Sequence, residues 1–116
     1  MNLEDKLFTL LSSYSNLTNL VSNRISPEIT ESKTAKPFIV YTRTKTEFTN
    51  NLLGEVVDES GEFSILCCSD DKPEADDLAK ILVDCFSQNH YPVLDKQSSY
   101  DQETNLYLCT VVVLFD

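Results

Sequence analysis

Histidine is nearly absent from this chain. His90 is the single one in 116 residues, so any imidazole acid, base or triad would rest on it alone. It follows a helix-like segment in SQNHYP, where a solvated histidine facing the C-terminal end of the helix dipole is the ordinary reading. Glycine is almost as scarce. Gly54 and Gly61 are the only two, which excludes a glycine-rich phosphate loop, and EF-hand spacing is missing as well. No apolar run approaches the roughly 20 residues of a membrane span. The opening MNLEDKL lacks the basic region and apolar stretch of a secretory signal. The expectation is a protein made or assembled in the cytoplasm, with no membrane partner.

The four cysteines, Cys67, Cys68, Cys85 and Cys109, do not have the paired C-x2-C spacing of a metal site. Cys67 and Cys68 are adjacent in an apparent strand, so their side chains face opposite ways. They read as buried, reduced thiols acting as small hydrophobes. Cys68 has acidic surroundings, which disfavour a nucleophilic thiolate. Asp70/Asp71 and Asp76/Asp77 read as a charge cluster at a helix start. No catalytic residue, metal or cofactor is expected, and no enzyme activity.

Charge is one-sided, with a formal net of −10. That balance argues against tightly held nucleic acid, because phosphate binding needs basic groups. The distribution is uneven. Five of the nine basic residues, Arg24, Lys33, Lys36, Arg43 and Lys45, fall between positions 24 and 45. Nine acids lie between Glu55 and Asp77, with Lys72 the one base among them. This is either a solvated acidic surface or a basic edge that meets the acidic edge of a neighbouring subunit.

The length suits one domain spanning 1–116, with a modest core that needs no staples. Leu3, Leu7, Leu10 and Leu11 recur at helical spacing over 2–14, with Phe8 at the flank. Asn2 is the candidate cap, and Glu4 and Asp5 favour the helix dipole. A short helical turn over 17–21 groups Leu17, Leu20 and Val21. A polar loop containing Pro27 follows over 22–36, with a short extended piece at 24–26. PFIVYTRTKT, 37–46, is rich in β-formers after a strand-initial proline. Residues 47–61 read as a long hairpin loop, of a length usually tied to function. EFSILCC, 62–68, returns as a strand. The clearest helix follows, with Asp71 and Glu74 in a capping-box pattern, Pro73 in the first turn and one apolar stripe: Ala75, Leu78, Ala79, Leu82, Cys85 and Phe86. Strands over 91–100 and 106–115 flank the turn DQETN. Two hairpins around a helix give an α+β fold. The expectation is a single antiparallel or mixed sheet of about four strands with two helices packed on one face.

The last strand poses a problem. Strand side chains alternate between faces. One face of LYLCTVVVLF carries Leu106, Leu108, Thr110, Val112 and Leu114; the other carries Tyr107, Cys109, Val111, Val113 and Phe115. Both are apolar, so periodicity does not say which meets the helices. The remaining face needs a cover, and a neighbouring subunit is the natural one. Arg43, Lys45, Val111, Val113 and Phe115 are the candidate interface residues.

The order of motifs resembles the tail-terminator family of tailed phages, also called tail-completion or tail-to-head joining proteins. Leu17, Leu20, Val21, Arg24, Ile25 and Pro27 stand where members carry L-x-x-L-V and R-I-x-P. Pro37, Val40 and Tyr41 match a P-x-[IV]-x-Y strand. Ala75, Leu78 and Ala79 match an A-x-x-L-A helix. Asp101, Thr104, Leu106 and Tyr107 match a D-x-x-T-x-L-Y hairpin. The acidic 55–77 segment and the adjacent cysteines lie outside the resemblance. The resemblance implies a structural virion protein in the tail or neck: a homo-oligomer, a hexameric ring that caps the tail tube, ends its assembly and joins the head connector or stopper. Tail tube protein and connector are the implied partners. DNA would pass through without specific binding, with Asn50, Asn51, Glu55, Asp58 and Glu59 as a candidate channel- or tube-facing loop. The rival reading is a small acidic binding or inhibitor module, immunity-protein-like or a nucleic-acid mimic.

Overall fold

A computed structural model of the chain describes residues 3–22, 24–27, 37–103 and 105–116. The cap expected at Asn2, the loop over 28–36 with Lys33 and Lys36, and Thr104 of the last hairpin lie outside the described residues. The elements are α1 (Leu3–Ser13), α2 (Ser15–Val21), β1 (Ile25–Pro27), β2 (Phe38–Asn50), β3 (Val56–Ser69), α3 (Lys72–Gln88), β4 (Val93–Asp101) and β5 (Leu106–Phe115). The fold is α+β, with one mixed five-stranded sheet in the order β1-β2-β3-β5-β4. The fifth strand is the short extended piece, which pairs parallel to β2 through Ile25↔Ile39.

The topology follows from how strands must be connected. β5 is antiparallel to both β3 and β4, so β3 and β4 are parallel to each other. A parallel pair needs a crossover, and α3 supplies it while leaving a gap that β5 fills. The terminal strand is therefore interior, paired on both sides.

α1 buries Leu3, Leu7 and Leu11, spaced four apart along one face. It stops at Tyr14, whose extended backbone begins α2. α2 buries Leu17 and Val21, whereas Leu20, expected beside them, is exposed. Ser22, at φ 57°, ends α2. Arg24 then ties three elements together. Its Nε donates to the Pro37 carbonyl at 2.8 Å, its Nη2 donates to the Leu20 carbonyl at 3.2 Å, and its own carbonyl accepts from Ile39 N–H at 2.9 Å. The whole predicted stripe of α3 is buried. Its N-terminus is not a capping box: Asp71 makes no side-chain cap bond. Ser69 takes that place, with its hydroxyl accepting from Asp71 N–H at 3.0 Å and donating to Glu74 Oε1 at 2.7 Å.

All three helices pack on one sheet face, and the core lies between. Phe63 and Phe115 meet edge-on at 6.1 Å, and Tyr91 lies 4.5 Å from Phe115. The helices leave the distal half of β2 and β3 uncovered, and this pair projects as a two-stranded arm. The molecule measures 51 × 29 × 22 Å, with a radius of gyration of 14.9 Å, against about 13 Å for a compact chain near this length.

The two glycines serve different ends. Gly54 has φ +81° in the arm turn, a conformation that glycine adopts without steric cost. Gly61 is buried where the arm leaves the core. A Cβ there would stand 2.9 Å from the Phe63 ring and 3.2 Å from Leu3. Gly61→Ala is expected to destabilise the fold by about 1–3 kcal/mol through overpacking, read as a lower urea midpoint with unchanged slope. Wild-type stability in this variant would show that the Phe63 ring can move aside.

Candidate assembly surfaces

Two apolar surfaces remain outside the helix-covered core. The first is the open sheet face. Register places Phe38, Cys68 and Leu108 in one row across it and Val40, Leu66 and Thr110 in the next. Phe38, Cys68 and Leu106 form a small buried cluster of their own, with Val40, Leu66 and Leu108 half-buried against it. Thr110, Val112 and Leu114 continue the face, also half-buried. Contacts between neighbouring side chains on the sheet shield these residues only in part.

The second surface is the tip of the arm. Residues 47–61, expected as a long loop, are mostly strand: β2 runs to Asn50, β3 starts at Val56, and only 51–55 turn. Residue-for-residue pairing from Thr46↔Gly61 to Thr49↔Asp58 continues the ladder outward. The turn is built around Asn51. Its Oδ1 accepts from Leu53 N–H at 2.9 Å and Glu55 N–H at 3.0 Å, and its own N–H donates to the Glu55 carbonyl at 2.9 Å. This is the local side-chain-to-backbone bonding typical of asparagine in turns. The ordered tip presents large apolar groups to solvent: Leu52 is 105% exposed, Leu53 84%, Val56 59% and Phe48 57%. Sequence reading passed over these four because they sat in a segment read by its glycines and asparagines.

The expected interface residues are redistributed. Val111 and Val113 are 0% exposed and Phe115 is 1%, because their side of β5 lies under the helices. They belong to the subunit's own core and cannot form a surface between subunits; the other side of the strand is the open one. Arg43 is engaged within the subunit. Its Nη2 pairs with Glu4 of α1, 2.8 Å from Oε2, and its Nη1 reaches Glu59 Oε1 at 2.8 Å and Thr46 Oγ1 at 3.1 Å. The guanidinium also sits 5.5 Å from the Phe63 ring centroid. It is a brace between α1 and the arm rather than part of a free basic edge. Lys45 pairs with Glu47 at 3.1 Å, an exposed contact of small energetic value. Of the channel- or tube-facing candidates, Asn50, Asn51, Glu55, Asp58 and Glu59 all lie on the arm and are exposed. Glu59 is held by Arg43.

The four cysteines are free and buried. Cys67 faces Cys109 across the β3–β5 ladder within the main core, while Cys68 lies in the open-face cluster, on opposite sides as the alternation requires. Burial pushes the Cys68 and Cys85 thiols up to about 11. Burial also raises Cys67 well above its ordinary value, with Cys109 and Cys68 adding to the effect. Among the described residues no group of three or more His, Cys, Asp or Glu is placed to hold a metal, and no helix is long and apolar enough to cross a membrane. A cleft of about 230 Å³ opens where α3 begins beside the β4–β5 hairpin, lined by Lys72, Asp76, Tyr100, Tyr107 and Leu108 among others. Its two tyrosine rings lie 4.7 Å apart.

No protein-family model and no curated protein matches the chain. Among solved structures, a chain from the virion of a native gene transfer agent (GTA) particle has the same fold. The TM-score is 0.70 over 94% of this chain and 89% of that one, at 10% sequence identity. The likeness at this identity is one of fold.

Two measurements test these placements. Val113→Asp puts an unpaired charge in the core and is expected to cost about 3–5 kcal/mol, enough to unfold a domain of ordinary stability. Val112→Asp, one residue along on the open face, should leave the far-ultraviolet dichroism and the unfolding transition of a single subunit intact. Equal unfolding by both would mean that the open face is buried within one subunit. The thiols give a pH prediction. The folded pKa values of Cys68 and Cys85 are raised, so the contribution of these two thiols to stability is complete below the ordinary value of 9.0 and is lost as pH rises toward about 11. The melting temperature should fall across that window, and less steeply in a Cys68→Ser Cys85→Ala variant.

Proposed function

We propose that this chain is a structural protein of a virion and acts as a tail terminator, a ring that caps the tail tube, ends its growth and joins it to the head connector. The supporting observation is the fold likeness to a chain of a gene transfer agent virion, which spans nearly the whole of both chains. The surfaces agree with that reading. A lone subunit leaves an apolar sheet face and an apolar arm tip in water, and contiguous exposed apolar surface is the usual mark of an association site. A ring of identical subunits joins two different patches head to tail and closes by rotation, so it can cover both kinds of surface in every copy. The proposed ring is hexameric. Its partners are the tube protein below and the connector above, and the location is the tail or neck of the particle. The acids of the arm, Glu55 and Asp58 among them, suit a passage through which DNA moves, because they repel phosphate. No catalytic step is assigned to the chain.

Native mass spectrometry and negative-stain microscopy of the purified protein test the proposal. The expected result is an annular particle of six 13.1 kDa subunits, formed alone or on addition of tube protein, that halts tube elongation in a polymerisation assay. A tight monomer that neither forms rings nor stops elongation, and that binds one basic protein partner, would replace this reading with that of an acidic inhibitor module.

A further inference from the structure

We infer that Cys67 and Cys109 are a cross-strand disulfide site, oxidised by a small peroxide from the cleft beside α3 and closed as a bond between β3 and β5. The inference concerns a single subunit and does not depend on the ring reading. Register places the two residues directly opposite one another, on the helix-covered side of the sheet within the main core. Opposed residues of an antiparallel pair have Cα atoms about 4.5–5.5 Å apart, inside the window of about 4.4–6.8 Å that a disulfide spans. The bond therefore asks for side-chain rotation rather than strand movement. The other two cysteines are placed elsewhere. Cys68 lies in the open-face cluster, and Cys85 belongs to the buried stripe of α3.

Access runs through β4. Both thiols are buried, and burial holds Cys67 protonated, so the closed subunit reacts slowly. β4 is the edge strand beside β5, and its side chains are exposed along nearly its whole length. Segments with few buried contacts open more readily than the paired interior. Ser98 of β4 stands opposite Cys109 and lines the cleft. Its Oγ lies 3.6 Å from Cys109 Sγ and donates to Asp76 Oδ1 at 3.4 Å. Cys109 is thus the thiol next to the cleft wall, and Cys67 the one behind it. In the reaction, the Cys109 sulfur attacks the O–O bond of the peroxide, which breaks to give a sulfenic acid and water. The Cys67 sulfur then attacks the Cys109 sulfur, and the hydroxyl leaves as water with the Cys67 proton. The two thiols are oxidised by two electrons, and hydrogen peroxide is reduced to two waters. The bond closes the chain around α3 and β4, which restricts the unfolded state. Oxidation thereby converts two small core hydrophobes into a lock between the inner strands.

The test uses the full chain. Fully reduced protein is treated with hydrogen peroxide under native conditions, the remaining thiols are blocked, and the intact mass and peptide map are read. The expected result is a single chain that has lost two hydrogens, with one bond joining the Cys67 and Cys109 peptides and the blocking group on Cys68 and Cys85. The oxidised form should unfold at a higher urea midpoint than the reduced form, and a reductant should reverse the shift. Cys67→Ser and Cys109→Ser, checked for wild-type dichroism, separate the two roles. Cys67→Ser should accumulate a sulfenic acid on Cys109 that dimedone traps, and Cys109→Ser should leave Cys67 unmodified. A bond that includes Cys68 or Cys85, sulfinic acids without a bond, no oxidation under native conditions, or a midpoint that does not rise overturns the inference. Where a serine variant fails to fold, the wild-type peptide map decides alone. None of these outcomes bears on ring formation, which the annular-particle experiment tests separately.

Discussion

A sheet whose inner strands are apolar on both faces, covered by helices on only one, is the constraint from which the rest of this molecule follows. β3 and β5 are paired on both sides, so their backbone groups are satisfied and only their side chains remain to be placed. One set, including Phe63, Ile65, Val111, Val113 and Phe115, is buried under α1, α2 and α3. Fully burying side chains of this kind contributes roughly 1.5–3 kcal/mol each. The opposite set has no second helical layer, because three helices in a chain of this length cover one face and no more. Phe38, Cys68 and Leu106 collect into a small cluster there, but their neighbours stay half in water. The fold of the subunit is closed on one side and unfinished on the other.

The polar interactions serve the covered side and the arm. Arg43 connects α1 with β2 and β3 through Glu4 and Glu59 and lies over Phe63, at the place where Gly61 lets α1 approach the sheet. Arg24 connects α2, β1 and β2 through carbonyl groups. Two of the five cations that appear in the sequence as a basic edge are therefore internal fasteners. The arm leaves the core as a braced extension of the sheet, with its leucines away from the body.

Most of the element plan was legible in the sequence. The stripe of α3 and the limits of β5 match their patterns because a long amphipathic period and a long apolar run each leave little room for another reading. The arm was less legible. Its glycines and asparagines suggested a long loop, yet backbone pairing continued past them, since strand ladders outlast weak local propensity when the partner strand is already in register. The capping box failed for a similar reason: Ser69, two residues earlier than the pattern expects, reached Glu74 first. Arg43 looked like a surface cation because its partner Glu4 is distant in sequence.

By itself the sequence determined the class of fold, the helix faces, the scarcity of histidine and the existence of surplus apolar surface, because each depends on composition or on short-range periodicity. Which side of β5 meets the helices was a decision of tertiary structure. Both of its faces are apolar, so alternation carries no sign. The choice fell to the crossover of α3 and the seating of α1, which fixed one side as interior and left Leu108, Val112 and Leu114 on the other. The position of the arm leucines was decided in the same way, by a register set in the core and carried outward by the ladder.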